Sequence, residues 1–122
     1  MIVALAALNE GIVDQESHIH CPGHYNLGSN RIHCWTWKNG GHGTVNLERA
    51  IAESCDVYFY HLALKIGSLK MVEMASRFEL GQLTGIELSG EKKGLIPSPE
   101  WAKFRKGFFK QKGHYKIVVP FF

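Results

Sequence analysis

The sequence predicts an α+β fold that is mainly helical, with one long loop ordered by a bound metal. Three observations carry this. Apolar residues recur at helical spacing in segments near both ends of the first eighty residues. Residues 14–43 are polar, glycine-rich and aromatic, and keep no helix or strand period; a loop that long inside a compact domain needs something else to order it. The same region and the helix junction after it hold all three cysteines, Cys21, Cys34 and Cys55, together with His42 in Gly40-Gly41-His42-Gly43.

At 122 residues the chain has room for one domain and a modest core. It is 45% hydrophobic and 20% charged, ordinary for a soluble globular protein. A net charge of +3 is weak, and the basic residues crowd between Lys92 and Lys116 without forming a stripe interleaved with aromatics, which argues against nucleic-acid binding. No apolar run reaches the length of a membrane span. Met1 to Leu8 is not read as a signal peptide, because no positive residue precedes it and Asn9-Glu10-Gly11 follows too soon.

Taken in order, residues 1–10 read as an interior helix with almost no polar face, ended by Gly11. Within 14–43, Trp35 and Trp37 are expected to pack on something, since large aromatics seldom sit in a bare loop. Asn46 is expected to cap a short helix with Leu47, Ala50 and Ile51 on its apolar side, stopping near Ser54. A largely buried helix follows from about Asp56, its default N-cap, to Lys65, closed by Gly67. Ser68 is expected to cap the next helix, with Leu69, Val72, Ala75 and Phe78 on its inner face. Thr84 to Leu88 reads as a short extended piece leading to a turn at Ser89-Gly90, and Ser98-Pro99-Glu100-Trp101 as a helix start. From Lys106 to Phe122 there is no acidic residue and the chain ends in an apolar run, so 106–122 is expected to lie outside the native fold.

The chemistry-bearing residues divide into two groups. Cys21, Cys34, His42 and Cys55 offer three thiolates and an imidazole, a common structural zinc set, although twelve, seven and twelve residues separate them. Buried structural thiols, or one disulfide plus a free cysteine, are the bland alternatives, and His18, His20, His24 and His33 compete as ligands. Ser54 stands at a helix junction, where serine is far more often a cap than a catalyst. Residue types alone thus lead to a small, metal-stabilised, mainly helical domain.

Glu53-Ser54-Cys55-Asp56-Val57-Tyr58-Phe59-Tyr60 resembles the second active-site motif of class B penicillin-binding proteins, Ser-x-Asn, in the Ser-x-Asp form of the elongation-type branch. Met1 to Gly11, Gly41-His42-Gly43, Thr84 to Leu88 and Pro97 to Trp101 resemble the family's flanking segments in the same order, so that 1–105 reads as a partial transpeptidase domain and 106–122 as a divergent tail. The resemblance implies the penicillin-binding transpeptidase (serine β-lactamase-like) fold. It also implies that Ser54 relays a proton between a lysine and the substrate's leaving nitrogen, while Asp56 faces the bound peptide or β-lactam amide. Some members carry zinc near this motif, at the positions of Cys21, Cys34, His42 and Cys55.

Of the family's three catalytic motifs the chain is expected to carry only the second. The Ser-x-x-Lys nucleophile is expected ahead of Met1 and the Lys-Ser/Thr-Gly strand beyond Phe122, making the chain inactive alone. The implied partners are the peptidoglycan stem peptide, β-lactams and a complementing fragment of the same domain. The family works at the inner membrane facing the periplasm; lacking an export signal as written, this chain is expected in the cytoplasm. The alternative is a stand-alone zinc-ordered binding module without catalysis.

Overall fold

A computed structural model describes residues 1–87, 89–99, 101, 110–111 and 114–115. Helix α1 (Ile2–Asn9) is apolar all round and buries Val3, Ala4, Ala6 and Ala7. Small alanines let it lie close to its neighbours, and it packs against α3 (Asp56–Ile66) and α4 (Ser68–Arg77). The short α2 (Leu47–Ala52) precedes α3, capped as expected: the Asn46 side chain accepts a hydrogen bond from the Arg49 amide. Tyr58 and Leu62 of α3 are fully buried and form the centre of the core with Val45, Ala50 and the three cysteines.

The segment expected to be a long loop is instead built on backbone ladders, and the fold mixes helices and strands. Strands β1 (Ile19–Cys21) and β4 (Gly43–Val45) pair antiparallel, placing Cys21 opposite Gly43. Between them β2 (His24–Leu27) and β3 (Asn30–His33) form a hairpin closed by Gly28-Ser29, with Gly28 at φ 63 in the first central position, where a type II′ turn takes glycine. A single 3-10 turn follows at Trp37–Asn39. Strands of three or four residues with half-exposed faces are too short to write a period of two into the sequence.

Three further expectations change. The buried face of α4 is Met71, Met74 and Ala75, whereas Leu69 and Phe78 are exposed, because α1 and α3 meet the helix on its methionine side. The N-caps of α3 and α4 are Cys55 and Gly67, so Asp56 and Ser68 are the first helical residues instead. Ile51, expected on the apolar side of α2, is exposed, whereas Trp35 and Trp37 pack on His42 and His33 as expected while staying 65% and 48% exposed. Thr84 to Glu87 pairs with no strand among the described residues, and Leu88 lies outside them. The Ser89-Gly90 turn is present, and helix begins at Pro99, with Ser98 Oγ accepting from the Trp101 amide. Of 106–122, only the short hairpin of β5 (Lys110–Gln111) and β6 (His114–Tyr115) is described. Among the described residues no helix is long and apolar enough to cross a membrane.

Candidate functional site

Four separate pieces of backbone deliver the cluster. Cys21 ends β1, Cys34 follows β3, His42 precedes β4, and Cys55 caps α3. Close approach of the chain makes this possible at Gly41: a Cβ there would collide with the backbone of Cys21, Pro22 and Gly23. With φ 86 the position is also one that glycine tolerates and other residues rarely do.

The four ligand atoms of Cys21, Cys34, His42 and Cys55 all lie within 4.8 Å of one another, and the three cysteines are fully buried free thiols. Nδ1 of His42 stands 3.4 Å from Cys34 Sγ and 3.7 Å from Cys21 Sγ. Ligand distances of zinc at a tetrahedral angle put sulfur and nitrogen roughly 3.6 Å apart, so the residues fit that ion. The thiols carry opposed electrostatics. Burial pushes the Cys55 thiol up to about 12, with the neighbouring Cys21 and Cys34 adding to the rise. Burial opposes ionisation at Cys21 as well, but hydrogen bonds from the His42 backbone and side chain and from Gly23 outweigh it and hold that thiol below its ordinary value. Three thiolates side by side require a compensating cation.

Glu53, Arg49 and Thr36, assigned no role from sequence, surround the imidazole together with Trp35. Among the described residues Nε2 of His42 is buried with no hydrogen-bond partner, and the Glu53 carboxylate lies 4.0 Å away. Glu53 is held in turn by Arg49 Nε at 2.7 Å, one helical turn earlier, and this hydrogen bond keeps its carboxyl below the usual range. At 4.0 Å the carboxylate is within ion-pair range of His42 Nε2 but beyond hydrogen-bond distance. Thr36 Oγ1 lies 3.1 Å from Nδ1, and the Trp35 ring meets the imidazole edge-on at 5.4 Å. An i,i+4 Arg-Glu pair directly before Ser54 was the available signal.

Ser54 and Asp56 flank Cys55 but point elsewhere. Ser54 is exposed and left-handed, at φ 51. Its amide donates to Ile51 O at 3.3 Å and the Cys55 amide to Ala50 O at 2.9 Å, the pair of bonds that ends a helix in a Schellman motif. The Asp56 carboxylate accepts a hydrogen bond from the Trp35 amide at 3.2 Å, and Trp35 Nε1 donates to Glu53 O at 3.0 Å. The exposed Trp35 is thereby fixed beside the junction.

A Ser-x-x-Lys string is present after all, as Ser89-Gly90-Glu91-Lys92. Ser89 and Gly90 form an exposed turn, Glu91 accepts from the Thr84 amide and hydroxyl at 2.7 and 2.6 Å, and 91–98 is without helix. The helix that the resemblance requires directly after the nucleophile motif does not follow it.

Comparison with known proteins agrees with this architecture. The penicillin binding protein transpeptidase domain matches residues 1–112. Peptidoglycan D,D-transpeptidase MrdA of Acinetobacter baumannii is 43% identical over 98 residues, which cover 80% of this chain and 15% of that protein. The MrdA of Escherichia coli K12 is 33% identical over 118 residues, 97% of this chain and 18% of the relative. Among solved structures, Pseudomonas aeruginosa PBP2 in complex with WCK 5153 superposes with a TM-score of 0.75 at 39% identity, covering 84% of this chain and 23% of that one. PBP2 from Helicobacter pylori, in a complex with MreC, gives 0.78 at 32% identity, covering 86% and 19%. The chain therefore spans less than a quarter of each of these proteins. It belongs to the penicillin-binding protein transpeptidase family, in its elongation-type class B branch, and corresponds to part of that domain.

Proposed function

We propose that these residues form the Ser-x-Asp segment of a peptidoglycan D,D-transpeptidase domain, braced from beneath by zinc on Cys21, Cys34, His42 and Cys55. The observation that carries the proposal is the division of labour across three consecutive residues: Cys55 is fully buried in the cluster, while Ser54 is exposed and Asp56 half-buried beside it. Bound there, zinc would supply the positive charge that lets neighbouring thiols remain thiolates. Everything else is done by the chain. The cluster and the Schellman bonds fix the backbone on both sides of Ser54, and the Trp35 amide fixes Asp56.

In this role Ser54 passes a proton between the lysine of the nucleophile motif and the substrate's leaving nitrogen, and Asp56 faces the peptide or β-lactam amide. The site would act where peptidoglycan is crosslinked, on the periplasmic side of the inner membrane, completed by the remaining motifs of the domain.

The test is to place residues 1–105 in the matching region of the Acinetobacter relative and follow acylation by a fluorescent penicillin. The chimera should be acylated, and Ser54→Ala within it should slow acylation by about 100-fold or more, as loss of a proton-transfer group does. Acylation at an unchanged rate in the Ser54→Ala chimera would sink the assignment.

A further inference from the structure

The β2–β3 hairpin carries two histidines that neither the cysteine cluster nor the Ser-x-Asp segment uses. His24 and His33 stand directly opposite each other in the ladder. The Cys34 amide donates to the Gly23 carbonyl at 2.9 Å, which makes Gly23 and Cys34 a hydrogen-bonded pair. His24 and His33 are therefore the adjoining pair without hydrogen bonds, the kind whose side chains stand closest, with Cβ atoms roughly 4.5–5.5 Å apart.

Opposed residues project from one face of a ladder. The other face carries Tyr25 and Ile32 and turns toward α3, with the Tyr25 ring centroid 6.3 Å from that of Tyr60. This leaves His24 half-buried and His33 exposed on the outward face. The His33 ring stacks on Trp37 at 4.6 Å and 22°, which fixes the plane of its imidazole and leaves the nitrogens on the ring edge.

We propose that His24 and His33 form a second, solvent-facing metal site for a borderline divalent cation such as nickel, copper or zinc, with water completing its shell. Imidazole is the side chain these ions share as a ligand, and two of them opposed on a rigid hairpin act as a clamp. Charge sets its rank. Arg31 lies on the same face, with Nε 3.4 Å from Asn26 Oδ1, and Lys38 Nζ sits 5.6 Å from the Trp37 ring. No acidic residue lies within the hairpin, so this site binds more weakly than the thiol cluster and fills after it.

The experiment uses the full chain, first given one equivalent of zinc and then titrated with nickel alone, followed by calorimetry and tryptophan fluorescence. One nickel per chain should bind, with quenching of Trp37. His24→Ala and His33→Ala should each weaken binding by about tenfold or more, with zinc content and circular dichroism unchanged, while His18→Ala leaves it as it was. Trp37→Phe should keep the heat of binding and lose the quench. The site is refuted if His24→Gln and His33→Gln bind nickel like the parent chain, or if His18→Ala weakens binding as much as they do.

Discussion

At Ser54 the backbone does what glycine usually does. Three helices end in the same pair of bonds, and the left-handed position is filled by Gly11 after α1, Ser54 after α2 and Glu79 after α4. A side chain in that conformation costs roughly 1–2 kcal/mol, part of which glycine returns through its greater freedom when unfolded. Ser54→Gly should therefore raise stability by up to about 1 kcal/mol, while Ser54→Ala, which keeps the Cβ, should not; thermal unfolding of the two variants decides it. Tyr58 offers a second test at this scale. Its side chain is fully buried and its hydroxyl has no partner among the described residues. Removing an unpaired hydroxyl of the same shape is neutral or favourable, whereas removing the ring costs about 3–5 kcal/mol. Tyr58→Phe should then match or exceed the parent in denaturant midpoint and Tyr58→Ala fall far below it; a clear loss in Tyr58→Phe would mean that the hydroxyl is hydrogen-bonded.

Among the elements, helices were legible and strands were not. Asn46, Gly11 and Gly67 mark helix ends through local chemistry, which sequence displays directly. The inner face of α4 was misread because Leu69, Val72, Ala75 and Phe78 satisfy helical spacing as well as Met71, Met74 and Ala75 do; only the position of α1 and α3 decides between them. The four short strands depend on a turn at Gly28 and a backbone crossing at Gly41, neither of which leaves a period. The three cysteines stood out by residue type. His18, His20, His24 and His33 competed with His42 as the fourth ligand, and the family resemblance, not residue chemistry, selected His42. Glu53 and the Asp56–Trp35 bond were not legible, since they exist only through distance. If zinc holds β1, the turn before β4 and the start of α3 together, protein prepared without a tag should contain about one zinc per chain. Its removal by a chelator should forfeit binding energy of roughly 10 kcal/mol or more and unfold residues 18–43. Zinc content left unchanged by Cys34→Ser and Cys55→Ser would exclude the site.

For the whole molecule, the chain spans 15% of the Acinetobacter relative, so the catalytic role proposed for Ser54 depends on the rest of that domain. Ser54 alone has no lysine amine in the described contacts to receive its proton, and Ser89 sits in a turn without a following helix. The isolated chain should accordingly form no covalent adduct with a fluorescent penicillin, read by denaturing gel and intact mass. An adduct lost on Ser54→Ala would make Ser54 a nucleophile; one lost on Ser89→Ala would give that role to the Ser89-Gly90-Glu91-Lys92 turn.

The cluster's ligands are scattered from Cys21 to Cys55, and each arrives on a different element. No short peptide cut from the chain contains all four. A bound cation would meet the complete set only in chains whose strands are docked on the helices, so its apparent affinity would scale with the fraction of chains already assembled. Any lesion elsewhere that leaves most chains unassembled, even one in the α1–α4 contact, would therefore weaken metal uptake about tenfold for each 1.4 kcal/mol it removes. Metal uptake would then report on the integrity of the whole domain.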